Sequence, residues 1–282
     1  MFTVSIPSID IVRHFLDLSK HFLSCLPDDA SFGGEYRHLR MLTEKLGIQS
    51  GFVVDIAASD GVDQSCTLGF FKDPQWSGFS IEMEPLKFSR LAFLHVNFPN
   101  SKLARGRVTP FNVGPLLQGF EVPDQFDILN LDIDSYDLEV LDAMLKHGFK
   151  PKIISMEINE KIPPPIYFNV NFDPAHVWQR DHFYGCSLTA AAQSVRPHGY
   201  ILESVQYNNA VFVRADLAKG KLEEQSVEVA YDIGYRKRPD RAQLFPWNEH
   251  FDPLLENCPT DVAITFINTY FKKYAGKYTL HV

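Results

Sequence analysis

Acidic residues stand at the ends of four apolar runs, and any chemistry in this chain starts with them. GFVVDIA carries Asp55, GFSIEME carries Glu82 and Glu84, FDILNLDID carries Asp132 and Asp134, and KIISMEIN carries Glu157 two residues before Asn159. In an open α/β sheet, ligands bind beyond the carboxyl ends of the strands, where strand order reverses, so acids at those ends face a cleft. In VVDIAASDG the small residues Ala57, Ala58 and Ser59 let a ligand approach the backbone, and Gly61 can take a positive φ. The same segment also reads as a tight strand-to-helix turn, because the G-x-G-x-x-G fingerprint of dinucleotide sites is missing. Glu84, placed at the end of the next strand with Pro85 opening a helix, suits a ribose diol, since a carboxylate can accept from both hydroxyls. A carboxylate simply facing a helix N-terminus is the plainer reading. Glu82, on the same sheet face, is the rival.

FDILNLDIDSYDLEVLDAMLKHG is the most specific segment. An apolar strand brings Asp132 and Asp134 to its edge, and Asp134 or Ser135 is placed to cap the helix that follows. Leu138, Leu141, Met144 and Leu145 form that helix's buried stripe, and Gly148 stops it.

Hydrophobic periodicity predicts the elements that hold these acids. Helical spacing recurs over residues 9–24, through Ile11, Val12, Phe15 and Phe22, and over 36–46, through Leu39, Leu42 and Leu46. Five apolar runs follow, counting a weak strand near Lys102 to Arg105, with amphipathic stretches between them. Runs of this kind suit strands covered on both faces, and so a doubly wound α/β fold with a mostly parallel sheet. After a loop with Pro163, Pro164 and Pro165 come a helix near Ser187 to Val195 and then GYILESVQ and NNAVFVR, an antiparallel hairpin at one sheet edge. The expected division is a helical N-terminal segment, 1–48, a ligand-binding α/β domain, 49–216, and a C-terminal extension, 217–282. That extension shows no strong strand pattern, only a helix over 260–274.

Composition narrows the function classes. Apolar residues at 45% and charged residues at 22% are ordinary for a globular chain, and no apolar run reaches membrane-spanning length. A net charge of -8 argues against a nucleic-acid partner. The basic group Arg236, Lys237, Arg238 and Arg241 reads as a solvated loop. The N-terminus lacks a basic leader before an apolar block, and Cys25, Cys66, Cys186 and Cys258 form no C-x-x-C pair. A cytoplasmic protein with no structural zinc is expected.

DIDSYDLEVL resembles the D-x-E-G-x-E-x-x-V-L signature of FkbM-type S-adenosylmethionine-dependent methyltransferases and, more loosely, the D-x-D-x-Y segment of macrocin-type O-methyltransferases. VVDIAASDG is similar to the FkbM family's D-x-G-A-N-x-G loop, and IEMEP to its strand ending in Glu-Pro. The likeness covers roughly residues 50 to 215. Ala57 stands where the family has its first loop glycine, Ser59 where it has asparagine, and Asp134 with Ser135 where it has Glu-Gly. The resemblance implies a Rossmann-like fold and an S-adenosylmethionine cofactor. It places the loop from Asp55 through Ala57 and Ser59 to Gly61 around the methionine part, Glu84 at the ribose, and Asp132 near the amino and sulfonium end. Methyl transfer is an in-line displacement that needs alignment and, for a hydroxyl nucleophile, a base. Asp134, Glu157 and His182 are the candidate bases, with Tyr184 as a positioning group. Three converging carboxylates suit a hard divalent cation such as magnesium, as in macrocin-type enzymes, or form a hydrogen-bonded polar cluster. The expected activity is methyl transfer to a hydroxyl of a small, sugar-like acceptor. A non-catalytic methyltransferase-like binding protein and a nicotinamide oxidoreductase are the other two readings.

Overall fold

The apolar runs become strands whose alternate residues are buried on opposite faces, because each face of the sheet is covered by helices. The computed structural model describes residues 9–282, with side chains from Arg13 onward. The first eight residues, and with them the start of the leader reading, lie outside the described residues, as do the side chains of Ile11 and Val12. The chain runs α1 (Ile9–Cys25), α2 (Glu35–Leu46), β1 (Gly51–Ile56), α3 (Leu68–Lys72), β2 (Trp76–Glu82), α4 (Pro85–His95), β3 (Ser101–Arg105) and α5 (Val113–Gly119). It continues through β4 (Ile128–Leu131), α6 (Asp137–His147), β5 (Ile153–Glu157), β6 (Tyr167–Val170), α7 (Leu188–Val195), β7 (Tyr200–Gln206), β8 (Asn209–Arg214) and α8 (Ala215–Ala218). The last part holds α9 (Val227–Tyr231), α10 (Arg241–Leu244), α11 (Asp252–Leu255), α12 (Thr260–Tyr270) and β9 (Tyr278–His281).

Seven strands form one sheet in the order β3-β2-β1-β4-β5-β8-β7. β1 to β5 pair in parallel, and β8 joins β5 antiparallel with β7 outside it. This is a doubly wound α/β fold with an antiparallel hairpin at one edge, as its sequence pattern predicts. Strand order reverses between β1 and β4, so the crevice lies above their carboxyl ends. One core joins Val54, Ile56, Leu129 and Leu131 to Leu117, Leu141, Met144 and Leu188 beneath α5, α6 and α7. A second, on the other face, joins Val53, Ile128 and Val211 to Leu39, Leu42 and Phe70 of α2 and α3.

Three local expectations differ from the structure. The start of α6 has no side-chain cap from Asp134 or Ser135; instead the buried Asp137 carboxylate accepts the Ile133 and Ser135 amides at 2.7 and 3.0 Å, tightening the turn that carries Asp134. β2 closes at Glu82, and Glu84 occupies the N-cap position of α4. The C-terminal extension does contain a strand: β9 pairs with β6 inside the proline-rich insertion, Tyr167 opposite His281. A short edge strand of alternating exposure has too weak a local pattern to be seen without its partner. Around this second sheet lies a third core of Phe168, Phe183, Phe251, Ile267 and Phe271. No described helix is long and apolar enough to cross a membrane.

The extension also packs on the main sheet. After α9 the chain widens into a π-helix, Asp232–Arg236, whose Gly234 lies against β7, and the Tyr207 amide donates to the Gly234 carbonyl at 3.1 Å. A Cβ at Gly234 would stand 2.2 Å from the Val205 carbonyl oxygen. Gly234→Ala should therefore cost about 1–3 kcal/mol, because backbone must shift to accommodate the methyl group. Urea unfolding checks this, and an unchanged midpoint would show that the extension does not fold against the sheet edge.

Candidate functional site

A cleft of about 510 Å³ opens over the carboxyl ends of β1, β2, β3 and β4. Asp55 lies at its floor, buried, with Oδ2 accepting the Thr67 hydroxyl at 2.6 Å and Oδ1 accepting the Asn130 amide at 3.0 Å. Burial pushes its carboxyl above the ordinary range, against those two donors. Asp55 thus ties β1, β4 and the segment before α3 together, while lining the cleft.

The loop after β1 keeps the shape that a glycine would adopt without cost. Ala57 and Ser59 have φ of 65° and 52°, in the left-handed region that is uncommon for side-chain-bearing residues. What holds them there is visible. The Ala57 and Ala58 amides both donate to the Ile81 carbonyl, at 2.9 and 3.0 Å, and the Ser59 amide donates to Glu82 Oε2 at 3.0 Å. Ala57 and Ser59 line the cleft, but Gly61 does not. A Cβ at Gly61 would meet Leu91 and Leu94 at 2.7 and 2.9 Å, so this glycine serves close packing on α4 instead of ligand contact.

Glu82 and Glu84 both line the cleft but differ in what they do. Glu82 is buried, and its two oxygens take the Ser59 amide and, at 2.6 Å, the Glu84 amide. Glu84 is half exposed, and among the described residues its carboxylate is ion-paired only with Lys87, at 4.0 Å. The end of β2 therefore supplies one carboxylate that shapes the loop and one that is free for a ligand.

At the neighbouring strand ends, ligand-capable oxygens of Asp132, Asp134 and Glu157 lie within 4.8 Å of one another. Parallel pairing of β4 with β5 produces this juxtaposition. Asp134 sits at φ 55°, on the turn that Asp137 fastens. Glu157 Oε1 accepts from Asn208 at 3.3 Å, while its Oε2 is buried with no hydrogen-bond partner among the described residues. Glu157 belongs to this cluster without lining the cleft itself, whereas Asp132 and Asp134 do line it. Burial, then mutual repulsion, pushes the Asp132 and Glu157 carboxyls well up; burial also raises Asp134, which Lys87 and Lys161 pull back.

His182 is not brought to this cluster. Its ring packs on Phe251 and Tyr270, with centroids at 5.0 and 5.8 Å, and burial lowers its pKa to about 4. The aromatic third core claims it, which removes it from the cleft. Tyr184 is also enclosed: its hydroxyl donates to Glu160 at 3.0 Å and accepts from Lys161 at 2.5 Å, within a fully buried ion pair. Asn159 turns away as well, its amide donating to the carbonyls of His182 and Tyr184 at 2.9 Å each.

Sequence reasoning passed over Thr67, Asn130, Asn208, Arg107 and Tyr136. Apart from Tyr136, which is the tyrosine of the D-x-D-x-Y segment but to which the spacing assigns no role, none of them sits in a recognisable spacing, and each acts through a partner distant in sequence. Arg107 and Lys87, with Arg180, are the cleft's strong cations among the described residues, set against Asp55, Asp63, Glu82, Glu84, Asp132 and Asp134.

The carboxyl cluster has a consequence for stability. The folded chain holds these protons to higher pH than the unfolded chain does, so the stability they contribute is complete at acid pH and lost as pH rises through their raised values. Glu157→Gln, uncharged throughout, should gain stability relative to the wild type as pH rises from the ordinary carboxylate range through the raised values. Denaturant unfolding across that range measures the difference; a constant offset would mean that Glu157 titrates normally.

No protein-family model and no curated protein matches the sequence. Among solved structures, the N-terminal domain of EvdMO1, crystallised with SAH and D-fucose, is 11% identical, covering 76% of this chain and 99% of that one at a TM-score of 0.42. An S-adenosylmethionine-dependent methyltransferase from Clostridium acetobutylicum is 9% identical, covering 72% and 98% at 0.41. An O-methyltransferase family protein from Burkholderia thailandensis is 11% identical, covering 63% and 54% at 0.39. The last two of these are described as methyltransferases, one of them as an O-methyltransferase family protein.

Proposed function

We propose that this chain transfers a methyl group from S-adenosylmethionine to a hydroxyl of a small, sugar-like acceptor. The observation that carries the reading is the charge of a cleft at the switch point. Six carboxylates line it, and the amide of Ser59 in the loop after β1 is already bonded to one of them. A dinucleotide needs free amides at a helix N-terminus for its pyrophosphate. Here α3 begins only at Leu68, well past that loop. A ligand bearing a sulfonium and an ammonium suits this acidic cleft, and a diphosphate does not, which also sets the nicotinamide reading aside.

In this reading the Ala57–Ser59 loop and Asp132 surround the methionine end and Glu84 accepts from the ribose hydroxyls. Asp134 takes the proton from the acceptor hydroxyl as the displacement proceeds. Its raised carboxyl is a better proton acceptor than an ordinary aspartate, and Glu157 stands beside it. The unbonded Glu157 oxygen next to two aspartates favours one addition. The oxygen-donor set fits a hard divalent cation such as magnesium, which Asp132, Asp134 and Glu157 would hold and which would polarise the acceptor oxygen. The four cysteines are free, which supports a reducing, cytoplasmic setting. Arg236, Lys237, Arg238 and Arg241 are each paired with an acid, which supports a small-molecule over a nucleic-acid partner.

S-adenosylhomocysteine should raise the melting temperature more than NAD at equal concentration, by mass action. Equal or greater stabilisation by NAD would reject the cofactor assignment. Calorimetric titration of Glu84→Ala should show S-adenosylhomocysteine binding weakened by about 1–3 kcal/mol, the worth of charge-assisted hydrogen bonds; unchanged affinity would move the ribose to Glu82.

On a panel of hydroxylated acceptors, Asp134→Asn should lower turnover far more than cofactor affinity, since the amide keeps the shape and loses the basicity. Cofactor binding without turnover by the wild type would make the protein a non-catalytic binder. Activity lost to a chelator, restored by magnesium and less so in Glu157→Gln, would establish the cation; turnover indifferent to chelation would remove it.

A further inference from the structure

The segment between β6 and α7 lies across the cleft and is held there from two sides. Its feet are ion-paired to the C-terminal extension: Asp173 to Lys277 at 3.0 Å, and Asp181 to Lys273 at 2.8 Å with the Tyr274 hydroxyl at 2.6 Å. Its middle is fastened to the main sheet by one side chain. Arg107, just past β3, donates from Nε to the Tyr136 hydroxyl at 2.9 Å, from Nη1 to the Pro174 carbonyl at 2.5 Å and from Nη2 to the His176 carbonyl at 2.6 Å. Only a guanidinium serves three acceptors in one rigid plane, and it stays charged at every accessible pH.

What the strap presents to the cleft is suited to a flat, apolar ring. Val177, half exposed, and Trp178 line the cleft. Buried His176 also lines it, and its Nε2 has no hydrogen-bond partner among the described residues. The Trp178 indole N–H is already spent on the Asp181 carbonyl at 2.8 Å, so its ring face, not its polar edge, is what it can offer. Arg180 closes the strap at φ 57°, a conformation that surrounding contacts must enforce and that clusters at ligand clamps.

The strand order says which part of a cofactor lies beneath. If Asp132 at β4 and Asp55 at β1 border the methionine end and Glu84 past β2 meets the ribose, the purine lies next outward, at β3, where Gly106, Arg107 and Val108 line the cleft. We infer that Asp173–Asp181 is the roof over the purine end of the cofactor site, that Trp178 contacts the base, and that Arg107 is the positioning residue that holds the roof in place. This rests on the cofactor reading above.

The test follows tryptophan fluorescence in stopped flow with two probes, S-adenosylhomocysteine and adenosine, on the full chain. Both probes should change the emission, and Trp178→Phe should abolish the change, leaving Trp76 and Trp247 as silent background. Arg107→Lys keeps the charge and loses the fork, and should speed dissociation of both probes by about tenfold or more. Lys277→Ala, outside the cleft, should speed it in the same direction by a smaller factor, and carries the test if the Arg107 variant does not fold. Unaltered dissociation in these variants overturns the roof while leaving the cofactor reading intact. An effect on S-adenosylhomocysteine with none on adenosine removes the strap from the purine end. If the wild type binds neither probe, the cofactor reading falls and the roof with it.

Discussion

Carboxylates buried at the ends of parallel strands must each be given donors or protons, and the site is organised by how that requirement is met. Asp55 and Glu82 are satisfied by the chain itself. Thr67 and Asn130 occupy the first, and the amides of Ser59 and Glu84 occupy the second. The Glu82 carboxylate and the Ile81 carbonyl together hold a loop whose Ala57 and Ser59 adopt a costly conformation, while Asp55 fastens the segment before α3. The loop's shape, which glycine reaches through backbone freedom, is here enforced by hydrogen bonds from the adjacent strand.

The next two strand ends are treated differently. Asp132, Asp134 and Glu157 meet one another more than they meet donors, and one buried oxygen of Glu157 has no partner among the described residues. Leaving buried acids so poorly compensated costs stability, and such arrangements concentrate at functional sites because a proton, a cation or a substrate can supply what the fold withholds. Asp137, by contrast, is fully buried and spends its carboxylate on two backbone amides, fixing the turn without facing the cleft. Three acids within six residues, Asp132, Asp134 and Asp137, thus divide into one that builds the turn and two that line the cleft.

The C-terminal extension and the proline-rich insertion depend on each other. β9 completes a sheet with β6, and the aromatic core around Phe168, Phe183 and Phe271 has residues from both segments. That shared core draws His182 away from the cleft, while the ion pairs at Asp173 and Asp181 set the strap across it. Tyr231 donates to the Glu160 carbonyl and Asn248 to its carboxylate, so the extension also clamps the turn that follows Glu157.

Much of this was legible in the amino-acid order, because helix and strand periods are local and a strand end is marked where an apolar run meets an acid. The parallel strands, the hairpin, the stop at Gly148 and the placing of Asp55, Asp132 and Asp134 at one edge all follow from such short-range patterns. Only the tertiary structure decided which of those acids are already bonded, since Thr67, Asn130 and Asn208 reach them from distant positions. Glu82 and Glu84 cannot be told apart by spacing, because a shift of two residues preserves the sheet face, and their roles separate only through the amides that Glu82 accepts. Likewise β9, the strap and the removal of His182 depend on pairing between segments far apart in the chain, whose free energy resides in a joint core that neither sequence segment displays alone.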